Sequence, residues 1–414
     1  MINREKTAWC LYDFGNSAYT TIIVTVVYSV YFTEVVARES GIVLWGRAVA
    51  FSMIITAFLS PFLGAMSDFS GKKKPFLILF TLLSVFFTGL FYFVDEGDVV
   101  TGLLFFVLAN IFYNAGLTFY DAFLKDLAEP NQVGRLSGYG WAIGYVGGLV
   151  SLLLIFPLLK GGFGVEARPI FRLSFLVTAI FFLIFALPAL IFLKDRRLSN
   201  PPLLSVLTYA KVGFHRMGET LRNIRHYREM AFFFIAYFFY NDAINTIIAY
   251  SSIFASRELQ FTTSDLILLF MIINVSAAAG SFLFAPLTDR WGAKKTIMLT
   301  LILWVWIPIG TYFVATRTEF YALGLCAGAI LGPIQSASRA LLAQFAPHGK
   351  GAEFFGFFAL TGKISASVGP LFYAQIVQQT GSQRVATLSL VLFFVIGMLI
   401  LNRVNEARGI AEGK

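Results

Sequence analysis

The chain has 414 residues, of which 57% are apolar and only 13% charged, with a formal net charge of +9. Soluble domains carry about a quarter of their residues as charges, so a water-soluble fold is excluded. The basic residues are scattered among apolar runs rather than gathered into a nucleic-acid-binding tract. Cys10 and Cys326 each lie in an apolar run, which leaves no disulfide framework and no metal site to expect.

In chain order, apolar runs predict twelve membrane-spanning helices. They fall at 8–33, 42–66, 75–94, 99–120, 133–159 and 169–193, then at 230–255, 264–288, 294–315, 319–345, 353–379 and 383–403. The first run is too long for a signal peptide and lacks a small-residue cleavage site. It carries Asp13 and Asn16, which share a helical face because residues three apart are neighbours. Asp242 and Asn245 repeat that pattern in the seventh run. Ionisable groups inside spans are costly, at about 2.5–3.5 kcal/mol on insertion scales, and call for a role. Lys363 lies ten residues past Glu353, so it sits about 15 Å deep, beyond easy snorkelling. Arg47 and Arg339 lie nearer the ends of their spans, where snorkelling competes with function.

Two glycine-rich segments resemble nucleotide loops without matching them. Gly138, Gly140, Gly144, Gly147 and Gly148 have the wrong spacing for a dinucleotide fingerprint, and their small size suits close helix approach. "GFFALTGKIS", from Gly356 to Ser365, places Ile364 where a phosphate loop needs Ser or Thr.

The N-terminus, the even-numbered connections and the C-terminus together hold 22 of the 32 Lys and Arg residues, and the opposite loops hold 7. That asymmetry predicts both termini on the cytoplasmic side. The longest connection divides the chain into 1–193, a linker at 194–229, and 230–414. In the linker Leu203, Leu207, Phe214, Met217, Leu221 and Ile224 recur at helical spacing among basic residues, which predicts an amphipathic surface helix.

The two six-span halves repeat each other. "GAMSDFSGKKK" after the second span aligns with "APLTDRWGAKK" after the eighth at an offset of 221, pairing Asp68 with Asp289 and Gly71 with Gly292. At an offset of 218, Ala122, Leu124, Ala128, Gly138 and Gly144 pair with Ala340, Leu342, Ala346, Gly356 and Gly362. Parallel six-helix repeats mark a transporter architecture. The run Gly64-x-x-x-Asp68-x-x-Gly71-Lys72-Lys73 resembles the signature loop of the major facilitator superfamily, with Ala285 replacing the first glycine in the second copy. "LYDFGNSAY", "SGYGWAIGYVGG" and "AEFFGFFALTGKISASVGP" resemble its vacuole-effluxer branch of amino-acid exporters. The resemblance implies an all-α membrane protein of twelve helices in two pseudo-symmetric halves.

It also implies small-solute transport, with amino acids or related zwitterions as the first substrate. The expected mechanism is alternating access in the export direction. Aspartates facing a cavity point to protons as the coupling ion, although uniport fits the same sequence. Asp13, Asn16, Asp242 and Asn245 are expected to face the cavity between the halves, with Lys363 as counter-charge and Arg339 nearby. Tyr12, Tyr240, Asn274 and Gln335 are further candidate polar contacts. Asp68 and Asp289 resemble the superfamily's acidic latch, which implies contact with helix N-termini of the opposite half. Arg135 is the expected partner of Asp289. Glu353 occupies the aligned position, so Asp68 is expected to meet repulsion unless Lys72 or Lys73 intervenes. Gly64, Gly71 and Gly292 complete the gating loops. No cofactor or metal is expected, and the chain is read as a monomer in a bacterial inner membrane, no targeting segment being legible.

Other classes find less support. The three histidines, His215, His226 and His348, fall in predicted loops. Neither His-Glu-x-x-His nor Gly-x-Ser-x-Gly occurs, so an intramembrane hydrolase lacks machinery. A channel would need a filter sequence that is not present. A receptor or scaffold that retains the fold is the remaining alternative.

Overall fold

The computed structural model describes residues 4–129, 131–196 and 206–413. Twelve helices are long and apolar enough to cross a membrane. The first six are α1 (Arg4–Val36), α2 (Arg38–Ser70), α3 (Lys74–Phe93), α4 (Val99–Leu127), α5 (Val133–Leu159) and α6 (Arg168–Phe192). A linker helix, α7 (Val206–Arg222), follows. The second six are α8 (Arg225–Glu258), α9 (Ser264–Trp291), α10 (Ala293–Phe313), α11 (Arg317–Phe345), α12 (Gly351–Thr380) and α13 (Gln383–Asn402). A short α14 (Glu406–Glu412) ends the chain.

The predicted spans coincide with these helices to within a few residues except at one end. The fourth was expected to stop at residue 120, yet α4 continues to Leu127. Its last two turns carry Asp121, Lys125 and Asp126, charges that hydropathy alone places in a loop but that tertiary partners hold inside the fold.

Local chemistry sets the helix ends. Thr262 with Asp265, and Thr316 with Glu319, form capping boxes at the starts of α9 and α11. Gly71 ends α2 in the left-handed region at φ 64°, a conformation glycine adopts without steric cost. Helix α1 is irregular: π turns occupy Tyr19–Val26 and Phe32–Val36, a widening that recurs at functional sites.

Within the first half α1 packs on α5 and α6, and α3 on α4; within the second, α9 packs on α11, and α8 on α12 and α13. Two crossings related by the repeat, α2 with α12 and α5 with α9, join the halves, and α4 meets α11 near the centre. Both crossings are tightest near the face that carries the chain termini. A Cβ on Gly356 would lie 2.5 Å from Pro61 Cα, and Gly64 is pressed on the Ala352 carbonyl. At the second crossing the Gly64 equivalent is Ala285. Its methyl is accommodated by Gly138, whose own Cβ would lie 2.5 Å from it. The departure from the loop signature is therefore compensated in the opposing helix.

Helix α7 packs on the terminus-side end of α2. The Phe214 ring lies 4.4 Å from that of Phe62, and Arg216 stands 5.0 Å over Phe69. Leu203 lies outside the described residues, as do the side chains of Leu207, Leu221 and Ile224.

Candidate functional site

Arg339 of α11 occupies the centre of the molecule and is 4% exposed. Nη1 donates to Asp13 Oδ2 at 3.2 Å and to Asp121 Oδ1 at 3.0 Å. Nη2 donates to Asp13 Oδ2 at 3.3 Å and to the Ser137 carbonyl at 2.9 Å, and Nε to Ser137 Oγ at 3.0 Å. All five guanidinium N–H groups thus have acceptors, the condition under which a buried charge is tolerated. Trp9, Trp141 and Tyr120 present rings 4.7, 5.3 and 5.9 Å from the guanidinium carbon. A desolvated cation over an aromatic face gains about 2 kcal/mol. The snorkelling alternative for Arg339 is overturned by this enclosure, while Arg47 is exposed.

Asp13 and Asn16 share their face and are bonded, Asn16 Nδ2 to Asp13 Oδ1 at 3.3 Å, with Tyr113 donating to Asn16 Oδ1. Glycine makes room for the pair, since a Cβ on Gly140 would lie 2.6 Å from Asp13 Oδ2 and 2.8 Å from Arg339 Nη2.

A cavity of about 1000 Å³ lies between the halves. Its floor is near Asp121 and Phe355, and it extends to Trp45 and Gly46 at the start of α2. It is therefore closed at the terminus face, where the glycine crossings lie, and reaches toward the opposite face. One carboxylate, Asp121, and one ammonium, Lys363, line it. Lys363 Nζ donates to Asn114 Oδ1 at 2.8 Å. Asn114 and Asp121 are seven residues apart on α4, so the point where Lys363 meets that helix lies two turns, about 10 Å along its axis, from Asp121. Trp141 also lines the cavity, with an indole N–H that has no acceptor among the described residues.

Four expectations are corrected. Asp13 and Asn16 do not line the cavity; they are turned to Arg339 and Tyr113. Lys363 is not the counter-charge of Asp13; Arg339 is, and Lys363 reaches across to α4 instead. Asp242 does not face the cavity: α8 turns Tyr237, Asn241 and Asn245 to it, and Asp242 points a quarter-turn away to Gly369 of α12. Its offset from Asp13 is 229 rather than 221, which sets the two acids about 12 Å apart in depth. Among the further polar candidates, Tyr12 is bonded to Thr81, Tyr240 to Ser338 and Asn274 to its own helix. Gln335 accepts the Tyr145 hydroxyl between the halves.

At the terminus face both acidic loops reach the opposite half. Asp68 Oδ2 accepts the Glu353 backbone N–H at 2.8 Å, and Asp289 Oδ1 accepts the Arg135 backbone N–H at 3.1 Å. Each caps the first turn of a helix, where an acid is favoured by about 0.3–1 kcal/mol. Arg135 Nε also lies 3.6 Å from Asp289. The expected repulsion between Asp68 and Glu353 is outweighed by Lys73 and by the Glu353 and Ala352 backbone N–H groups that Asp68 meets. Lys73, not Lys72, enters this network through Asp126 at 2.8 Å. Burial opposes the Lys73 ammonium, but Asp126 and Asp68 outweigh it and hold its pKa above the ordinary value. Gly292, like Gly71, has positive φ, at 95°.

Asp121 was missed in the sequence because it lies one residue before the repeat block that begins at Ala122. Extending that block by one residue pairs Asp121 with Arg339.

The comparisons with known proteins bear on what such a site belongs to. The family profile described as "Vacuole effluxer Atg22 like" matches residues 29–414. The chain belongs to that family. It is 31% identical over 413 residues to the "Uncharacterized MFS-type transporter YxiO" of Bacillus subtilis, covering 97% of this chain and 95% of the relative. It is 24% identical to "Autophagy-related protein 22" of Kluyveromyces lactis, covering 89% and 80%. Among solved structures, FucP, a major facilitator superfamily transporter in the outward conformation, superposes with a TM-score of 0.74 at 15% identity, over 97% of this chain and 98% of that one. The human organic anion transporter MFSD10 gives 0.73 at 16% identity, over 96% and 99%. The fold is that of the major facilitator superfamily, and this family member is a transporter of that type.

Proposed function

We propose that the protein is a proton-coupled exporter of a small zwitterion, an amino acid or close relative, working by alternating access. One observation carries the reading: the cavity offers one ammonium and one carboxylate about two helical turns apart. Two hydrogen bonds of about 3 Å each leave about 4 Å between them, close to the separation of amine and carboxylate in an α-amino acid. Lys363 then holds the substrate carboxylate, releasing Asn114, and Asp121 holds the amine. Trp141, Asn245, Tyr237 and Asn241 are among the further polar residues of the cavity wall.

Proton coupling follows from the charge balance at the centre, where Asp13 and Asp121 share the single guanidinium of Arg339. An amine bound to Asp121 competes with Arg339 for that carboxylate. A proton on either acid relieves the competition by freeing Arg339 for the other. The description of the family as effluxers supports export, and FucP, a fucose:proton symporter, is consistent with a proton-driven member of this fold. In this reading the protein acts as a monomer. It lies in a bacterial inner membrane with its termini in the cytoplasm, so the cavity described here faces outward.

The test is counterflow of radiolabelled amino acids in proteoliposomes. The wild type is expected to exchange and to accumulate substrate under a pH gradient. Asp121→Asn and Lys363→Met are expected to lose exchange while remaining folded, and exchange at wild-type rates in both would refute the site. For sidedness, cysteines at Gly97 and Gly381 should react with an impermeant reagent outside intact cells, and one at Arg290 only after lysis.

A further inference from the structure

We propose that Asp242 is a proton-binding switch, separate from the substrate cavity, that sets the bend of α12 at Gly369–Pro370. The proposal rests on the alternating-access reading above. Asp242 is wholly buried in α8. Its Oδ1 accepts the Gly369 backbone N–H at 2.8 Å, and its Oδ2 has no hydrogen-bond partner among the described residues.

Among the described residues the surroundings supply no compensating charge. On its own helix Asn241 is bonded to Ser365 and the Gly362 carbonyl, and Thr246 returns its hydroxyl to the Asp242 carbonyl. Tyr240 is bonded to Ser338, and Tyr250 to the Pro370 carbonyl. On α12, Lys363 is engaged by Asn114, Tyr373 faces Gln383 and Thr387, and Glu353 lies at the terminus-side end. On α11, Arg339 is saturated by Asp13, Asp121 and Ser137. On α13, Arg384 is paired with Glu258 and Arg403 follows the last turn, at the two ends of the span. Arg408 and Glu412 of α14 pair with each other beside Glu229 at the start of α8. A carboxylate with one oxygen buried and unpaired is far costlier than the neutral acid. The conformer with the cavity open therefore favours the protonated form of Asp242 over the ionised one. Ionisation breaks only the Oδ2–H bond and passes the proton to water.

The place of that acid gives the proton leverage. Pro370 has no N–H and interrupts the helical ladder beside Gly369, so α12 has a built-in point of bending. Glycine at 369 lets α8 close on that point, for a Cβ there would lie 2.7 Å from Asp242 Oδ1. Before the break, α12 lines the cavity from Phe355 to Val368. After it, the helix runs to Thr380 at the face toward which the cavity opens. Neutral Asp242 ties the two helices at the hinge. Ionised, it would accept the Gly369 N–H more strongly, but the cost of burying its second, unpaired oxygen outweighs that one bond. The carboxylate is therefore drawn toward water, the tie parts, and the arm beyond Pro370 swings across the mouth. Substrate is read at Lys363 and Asp121, and the proton at Asp242 sets how far the mouth is open.

Spin-label distances between Ile42→Cys and Gln379→Cys, both exposed on the open face, test this in a Cys326→Ser background. The wild-type distance is expected to shorten as pH is raised from acidic to alkaline. In Asp242→Asn it is expected to stay long at every pH, and Asp242→Glu is expected to restore the response. Asp242→Ser, also non-titrating, replaces the Asn variant if that one does not fold. A pH response surviving in the Asn or Ser variant, or absent in the Glu variant, would overturn the switch. Stabilisation by amino acids separates this from the cavity reading. The Asp242 variants are expected to keep it, whereas Asp121→Asn is expected to lose it and keep the pH response.

Discussion

Asp68 and Asp289 are equivalent in the repeat and do the same work, each capping the first turn of a helix in the other half. Asp121 and Arg339 are equivalent at an offset of 218 and carry opposite charges, meeting at 3.0 Å where α4 crosses α11. Lys363 and Tyr145 are likewise equivalent: one crosses to Asn114, the other to Gln335. Symmetry is kept at the terminus face, where two helix pairs need only approach and separate. It is broken at the centre, and there is a physical reason. A two-fold symmetric pocket presents the same group to both ends of a ligand and cannot tell an amine from a carboxylate. Opposite charges at matched positions remove that ambiguity.

The largest effect is expected from destroying the asymmetry at its core. Arg339→Met leaves two carboxylates facing each other with no cation, a loss of about 3–5 kcal/mol in unfolding free energy. Thermal unfolding in detergent checks it. Arg339→Lys should lose less than Arg339→Met, keeping the charge without the planar fork.

Lys363→Met and Tyr145→Phe probe one repeat position in each half. A charged hydrogen bond contributes about 1.5–3 kcal/mol, so Lys363→Met is expected to weaken amino-acid binding about 10- to 100-fold. Tyr145→Phe should cost less than about tenfold, its hydroxyl being neutral and already bonded to protein. Equal losses would mean that the centre is more symmetric in energy than in charge.

Asp68→Asn and Asp289→Asn form the smallest and most symmetric pair. Each weakens a cap worth about 0.3–1 kcal/mol. Both are expected to raise the population open at the terminus face by similar amounts, read from spin labels at Glu129 and Arg290. A shift confined to Asp289→Asn would instead mean a latch of unequal strength, with the Arg135 side dominant.

The fold was legible because hydropathy, span count and internal repeat depend on local composition. The latch was legible in position but not in geometry. Pairing side chains suggested that Asp68 and Glu353 repel, whereas the acids meet backbone N–H groups that every sequence supplies. At the centre, Asp13 and Asn16 stood out as polar residues in an apolar run. Asp121 did not, because it sits beside Lys125 and Asp126, where falling hydropathy resembles a helix end. Arg339 resembled a snorkelling residue for the same reason. Which acid faced which base depended on contacts between residues more than two hundred positions apart. The misplacement of Asp242 came from matching a local pattern, Asp-x-x-Asn, across an offset about two turns out of register with the repeat.

The claim that one ammonium and one carboxylate read a zwitterion is tested most directly by ligand-dependent melting of the purified protein. The ligands are the common amino acids, their methyl esters and the amines that lack the carboxylate. Ligands that bind the folded state raise its melting temperature. At least one free amino acid is expected to stabilise the wild type while its ester and amine do not. Lys363→Met should abolish that difference. Equal stabilisation by acid, ester and amine, or a difference that persists in Lys363→Met, would contradict it.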